Sequence, residues 1–137
     1  MNPQSLKDAV ALALKVGHVF VATADREGLP HIAAAGRIEA TQSGEIAVSA
    51  WFCPATRTNL SVNSHVSLLV WDPEPDIGYQ ILGQARSVED ISVMDGYSPS
   101  LETKEALPQV QSRVIVRVKA VLGFKHAPHM DLPVELF

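Results

Sequence analysis

The sequence predicts a mainly β (α+β) protein, an antiparallel barrel of six strands flanked by short helices. Three observations carry that expectation. Segments rich in β-branched and aromatic residues follow one another in short steps. Turn compositions such as Asp25-Arg26-Glu27-Gly28 and Ser43-Gly44 separate them. Helical periodicity is confined to the N-terminus and to a brief stretch after Trp51. Many short strands with little helix close most economically into a barrel.

Leu6, Val10 and Leu14 recur at helical spacing from about Pro3 to Val16, with Asn2-Pro3 as start and Gly17 as stop. Val19 to Thr23 is the first strand. Pro30 to Thr41 reads as a long second strand, weakened by Ala33-Ala34-Ala35-Gly36, and Glu45 to Trp51 is the third. A helical turn carries Leu60 and Val62, and His65 to Asp72 is the fourth strand. Pro73 and Pro75 impose a loop. Ile77 to Val88 forms the fifth strand, with Gly83 a candidate bulge or point of close approach. Residues 89–111 show no strong β pattern and suggest an irregular connection with a short helix near Leu101 to Leu107. Arg113 to Val121 alternates and is the sixth strand, and the tail from His126 to Phe137 has little periodicity. Nothing calls for a second domain, so residues 1–137 read as one.

Composition excludes several roles. Hydrophobic residues make up 47% and charged residues 19%, as in ordinary globular proteins. Eleven Lys and Arg against fifteen Asp and Glu give a net charge of −4 without a basic cluster, which argues against a nucleic-acid partner. No apolar run approaches a membrane span, and the N-terminal helix lacks the basic face of a membrane-surface helix. Lys7 and Asp8 interrupt any signal-peptide pattern. The single cysteine, Cys53, precludes an internal disulfide and points to a reducing, cytoplasmic setting.

Chemistry concentrates in Trp51-Phe52-Cys53-Pro54-Ala55-Thr56-Arg57-Thr58-Asn59-Leu60. Two hydroxyls, a guanidinium and an amide stand at a helix start between two strands. A first helical turn offers unpaired N–H groups and a partial positive charge, which suits a phosphate. Arg57 adds a charge-assisted, bidentate-capable donor. On spacing alone the same residues also read as a polar helix cap.

The order of these pieces resembles the FMN-binding split-barrel family related to pyridoxamine 5′-phosphate oxidase. The resemblance rests on "VFVATADREGLP" (Val19 to Pro30), the strand His31 to Ile38, "ATRTNLSVNSHVSLLVWD" (Ala55 to Asp72) and "GYQILGQAR" (Gly78 to Arg86). It implies a six-stranded split barrel that forms a homodimer, with FMN at the subunit interface. It places the FMN phosphate at Thr56, Arg57, Thr58 and Asn59. It places the flavin ring against the backbones of Ala34, Ala35 and Gly36 and of Ser49, Ala50 and Trp51. Short side chains there let backbone approach a flat ring. The ring-side glutamine of the family falls at about Gly78. The segment Lys125-His126-Ala127-Pro128-His129-Met130-Asp131 departs from the family's Arg- and His-containing substrate segment, which argues against pyridoxamine phosphate as substrate. Haem or a deazaflavin is the alternative ligand that the resemblance allows.

Other residues take plainer readings. Trp71 is a core or interface aromatic, whereas Trp51 borders the anion turn. Cys53 reads as packing at a strand-to-helix corner. His126 and His129 with Asp131 have the elements of a metal site but lack a further ligand, so no metal is assigned. His18 and His65 face solvent, and His31 is a candidate proton donor beside the ring. No side chain stands out as an obligate acid or base, and catalytic residues stay unassigned.

Overall fold

The computed structural model describes residues 4–42, 44–51, 53–93 and 109–137. Two helices and eight strands follow in the order α1 (Gln4–Val16), β1 (Val19–Ala24), β2 (Pro30–Ala35), β3 (Arg37–Gln42), β4 (Glu45–Trp51), α2 (Pro54–Val62), β5 (His65–Asp72), β6 (Ile77–Val93), β7 (Gln109–Phe124) and β8 (Pro133–Leu136). The strands pair in the order β2-β1-β5-β6-β7-β4-β3, with β8 added to β7. All the described pairings are antiparallel.

That order explains the shape. β2 and β3 stand at opposite ends of the hydrogen-bonded path, yet only Gly36 separates them along the chain. The sheet must therefore curl until its ends meet, and β2 packs beside β4 across the seam. The result is a barrel closed by the chain but split in its ladder.

The predicted antiparallel split barrel is thus the fold observed, with local differences. The long second strand divides at Gly36 into β2 and β3, because its halves belong to opposite edges. β6 and β7 extend beyond the predicted limits into residues 89–93 and 109–111, pairing Val93 with Gln109. The predicted helix near Leu101 to Leu107 lies outside the described residues, as do Asn2, Pro3 and Ser43. The tail contributes β8, too short and too exposed to show a periodic pattern.

Inward positions alternate along the strands. Val19, Val21 and Thr23 of β1 face the core, as do Val66, Leu68 and Val70 of β5. α1 covers the barrel with Leu6, Ala9 and Ala13, whereas Leu14 is 80% exposed. Leu14 therefore departs from the predicted apolar face. The helix turns so that its small residues meet the barrel, and Leu14 falls beside the surface formed by Gly36 to Ala40. Gly83 is required where β6 crosses β7: a Cβ there would stand 2.5 Å from the Arg117 carbonyl oxygen. The ladder register shifts at that residue, as expected for a bulge.

Candidate functional site

The segments singled out in the sequence converge at the split. Arg37 pairs with Ser49, so the Ala34-Ala35-Gly36 backbone arrives beside the end of β4. β4 leads directly into α2, and α2 packs on β1 and β2. Ala34 and Gly36 are exposed, Ala35 turns its methyl into the core, and Ser49 is half-buried. Ala50 and Trp51 belong to β4, but their side chains lie outside those described.

α2 begins with Cys53 as an extended cap (φ −149°, ψ 104°) followed by Pro54. Proline suits that place because a first-turn N–H would lack a helical acceptor anyway. Arg57 N–H makes an early helical bond, to the Cys53 carbonyl at 3.2 Å. The N–H groups before it, on Ala55 and Thr56, are first-turn donors without an intrahelical partner.

The helix face turned to the barrel is partly polar: Thr56 and Asn59 are buried with Leu60. Asn59 Nδ2 donates to Thr23 Oγ1 at 3.1 Å, and Thr23 stands opposite His31 in the β1–β2 ladder. Asn59 is therefore tied to the barrel wall through its amide. Thr58 is exposed and Arg57 half-buried. Thr56 is 0% exposed, and its Oγ1 forms no hydrogen bond. The same holds for the buried Nδ1 of His31. Buried polar atoms are nearly always paired, so these two are exceptions to the rule. Both the Thr56 hydroxyl and the first-turn N–H groups are donors, which fits an oxyanion such as the phosphate of FMN.

Cys53, expected to serve only as packing at the strand-to-helix corner, has a perturbed thiol. Burial pushes its thiol up, but the first-turn groups of Thr56 and Ala55 act against burial and leave it below the ordinary value. The signal available in the sequence was its position immediately before Pro54, at the positive end of a helix.

A second concavity lies outside the barrel. Phe20, Ala22, Ile32, Ser67, Leu69, Gln80 and Phe124 line about 430 Å³ of largely apolar space. Gln80 Nε2 donates to Ser67 Oγ at 2.8 Å. Gly78, where the family's glutamine was expected, leaves no room for a side chain: a Cβ would stand 2.8 Å from the Val70 carbonyl oxygen. Gln80, two residues on, is the amide that this part of β6 presents.

The C-terminal segment is tied down beside Phe124 of this concavity, with the His129 ring edge-on to Phe124 at 6.0 Å between centroids. Asp76 accepts hydrogen bonds from Trp71 Nε1 (3.0 Å), His126 N (2.7 Å) and Ala127 N (3.0 Å). His129 Nε2 contacts Asp131 at 3.0 Å, and its Nδ1 lies 2.9 Å from the Ala127 carbonyl oxygen. Among the described residues, no three His, Cys, Asp or Glu side chains gather as metal ligands. No described helix is long and apolar enough to cross a membrane.

Residues 6–126 match the family described as pyridoxamine 5′-phosphate oxidase. Solved structures resemble the whole chain at low identity. An FMN-binding protein from Syntrophomonas wolfei aligns with a TM-score of 0.66 at 13% identity, covering 93% of this chain and 88% of that one. A Clostridium acetobutylicum protein related to general stress protein 26 gives 0.65 at 14%, over 98% and 97%. HutZ, the heme storage protein of Vibrio cholerae, gives 0.55 at 13%, over 91% and 96%. At such identities these likenesses establish a shared fold. No curated protein matches the chain significantly.

Proposed function

The chain belongs to the pyridoxamine 5′-phosphate oxidase family, and from that premise we propose that it binds FMN non-covalently as a homodimer and serves as a cytoplasmic FMN-dependent oxidoreductase. The observation that carries this reading is the fully buried Thr56 hydroxyl, open to a partner on the first turn of α2. Thr56 and the adjoining N–H groups would hold the phosphate, with Arg57 supplying charge and Thr58 its outer rim. Asn59, tied to Thr23, would keep the turn in place. The backbones of Ala34, Ala35 and Gly36 and of Ser49, Ala50 and Trp51 would flank the ring. Gln80 is the amide nearest the place expected for the family's glutamine.

FMN supplies hydride or electron transfer when bound, so the chain's part is to position the ring and set its electrostatic surroundings. The exposed apolar concavity around Phe20 and Ile32 supports a homodimer, because a second copy would remove it from water. The C-terminal segment, clamped by Asp76 and without arginine, supports a substrate other than pyridoxamine phosphate. Haem or deazaflavin binding without turnover is a second reading, favoured by the fold shared with HutZ.

The absorption spectrum of the purified protein separates these readings, since flavin and haem absorb differently. Arg57→Ala should weaken FMN binding about tenfold to a hundredfold by fluorescence titration, from roughly 1.5–3 kcal/mol for a lost charged hydrogen bond. Unchanged affinity would remove Arg57 from the phosphate site.

A further inference from the structure

We propose that the hollow outside the barrel is the substrate pocket of the flavin site, taking a flat heterocyclic carboxamide that carries an anionic tail. The role assigned to the pocket, though not its occupancy, rests on the flavin reading above. Two hollows compose it. The first, of about 430 Å³, is lined by Phe20, Ile32 and Phe124 among others. The second, of about 470 Å³, runs past Ala24, Leu82 and Lys119. Ala22 and Ser67 line both, so the two form one trough along the outer face of the sheet. Phe20 is the ladder partner of Ala34, one of the residues assigned to the flavin ring. Cross-strand partners share a face of the sheet, so the trough begins beside that ring.

The chemistry of the trough changes along its length. Two aromatic rings, Phe20 and Phe124, wall the first half and suit a flat ring. Where the hollows meet, Gln80 Nε2 donates to Ser67 Oγ at 2.8 Å. Among the described residues, that bond leaves the Gln80 carbonyl oxygen free to accept and the Ser67 hydroxyl free to donate. Turning the amide over exchanges these roles but still offers a donor beside an acceptor. A carboxamide has the complementary pair, whereas a carboxylate has acceptors alone. The second half holds Lys119, exposed and without an ion pair among the described residues. Its ammonium is an uncommitted partner for an anion.

The second copy proposed above would roof this trough. Apolar walls are satisfied by any apolar cover, but a donor–acceptor pair and a cation removed from water need partners. A ligand of the stated class supplies the ring, the amide and the anion together, and the polar pair fixes its orientation.

Three probes separate these features: nicotinamide mononucleotide, nicotinic acid mononucleotide and nicotinamide riboside. The first carries both amide and phosphate, the second exchanges the amide for a carboxylate, and the third lacks the phosphate. Calorimetric titration of the native protein, with and without saturating FMN, should show the first binding about tenfold tighter or more than either of the others. Gln80→Leu should abolish the preference for amide over acid, and Lys119→Gln the preference for phosphate over riboside. Each variant should leave the other preference intact. Both preferences are read first on the native protein, so a variant that misfolds does not remove the test.

Equal affinities for the three, or no binding of nicotinamide mononucleotide, overturn the inference and leave a second copy as what covers the trough. Displacement of the bound probe by FMN overturns it too, because the trough would then be the seat of the flavin. If the probes are discriminated by protein that does not take up FMN, the flavin reading fails and the occupant of the trough stands. If FMN binds and the probes do not, the flavin reading stands and the inference falls.

Discussion

Glu135 on β8 and Thr56 on α2 are both buried polar residues beside a helix start, yet their surroundings differ. Glu135 Oε1 accepts the buried Leu6 N–H at 3.0 Å, so the C-terminal strand caps the N-terminal helix. Glu45 is likewise complete, receiving Arg86 Nε at 3.0 Å and Nη2 at 3.3 Å. Thr56 Oγ1, in contrast, has no hydrogen bond. A joint of the fold satisfies its own groups, whereas a binding site holds some capacity in reserve. On the proposed reading of α2, the contrast separates residues that stabilise the barrel from residues that would meet a ligand.

Substitutions on either side can break that contrast. Glu135→Ala should have the largest effect on stability. Losing the cap leaves a buried N–H unpaired, at a cost of about 2 kcal/mol measured by urea denaturation. Flavin affinity should be little changed. Thr56→Val should act in the opposite direction, raising stability by about 1 kcal/mol because an unpaired buried hydroxyl is removed without loss of shape. The same variant should bind FMN more weakly. If Thr56→Val instead destabilised the free protein, the hydroxyl would be structural and the contrast would collapse.

The smallest effect belongs to Asp76, near the surface. The backbone N–H groups of His126 and Ala127, then the Trp71 indole, hold its carboxyl down at about 2, against an ordinary value of 3.8. A depressed value means that the unfolded chain takes up the proton first. The clamp thus contributes fully above the ordinary value, and its contribution is lost as pH falls through about 2. Asp76→Asn should flatten the acid limb of the stability curve over that interval, read as urea midpoints at successive pH values. An unchanged acid limb would remove Asp76 as its source.

Much of the barrel was legible because alternating strands and turn residues leave local marks. β5 and β4 have the predicted limits, and Gly83 bulges as its isolation within an apolar strand suggested. The convergence of Gly36, Ser49 and α2 was legible only through family resemblance. What stayed hidden was set by distance along the chain. Leu6 and Glu135 meet across 129 residues, and Asn59 reaches Thr23 across 36. No periodicity announces either contact. Leu14 fits the apolar period as well as Leu6 does; only the barrel's curvature decides which of them is covered. The division at Gly36 was hidden for the same reason, since a strand that changes edges keeps its composition.

That division leaves two strand edges, β2 and β3, whose outer backbone groups the described ladder does not use. Such edges invite pairing with other chains. Here α2 lies against β2 and α1 against β3, while Pro30 opens β2 without an N–H to offer. The helices are thus placed to hinder edge-to-edge association. Variants that loosen either helix should therefore expose an edge and aggregate before they lose their sheet.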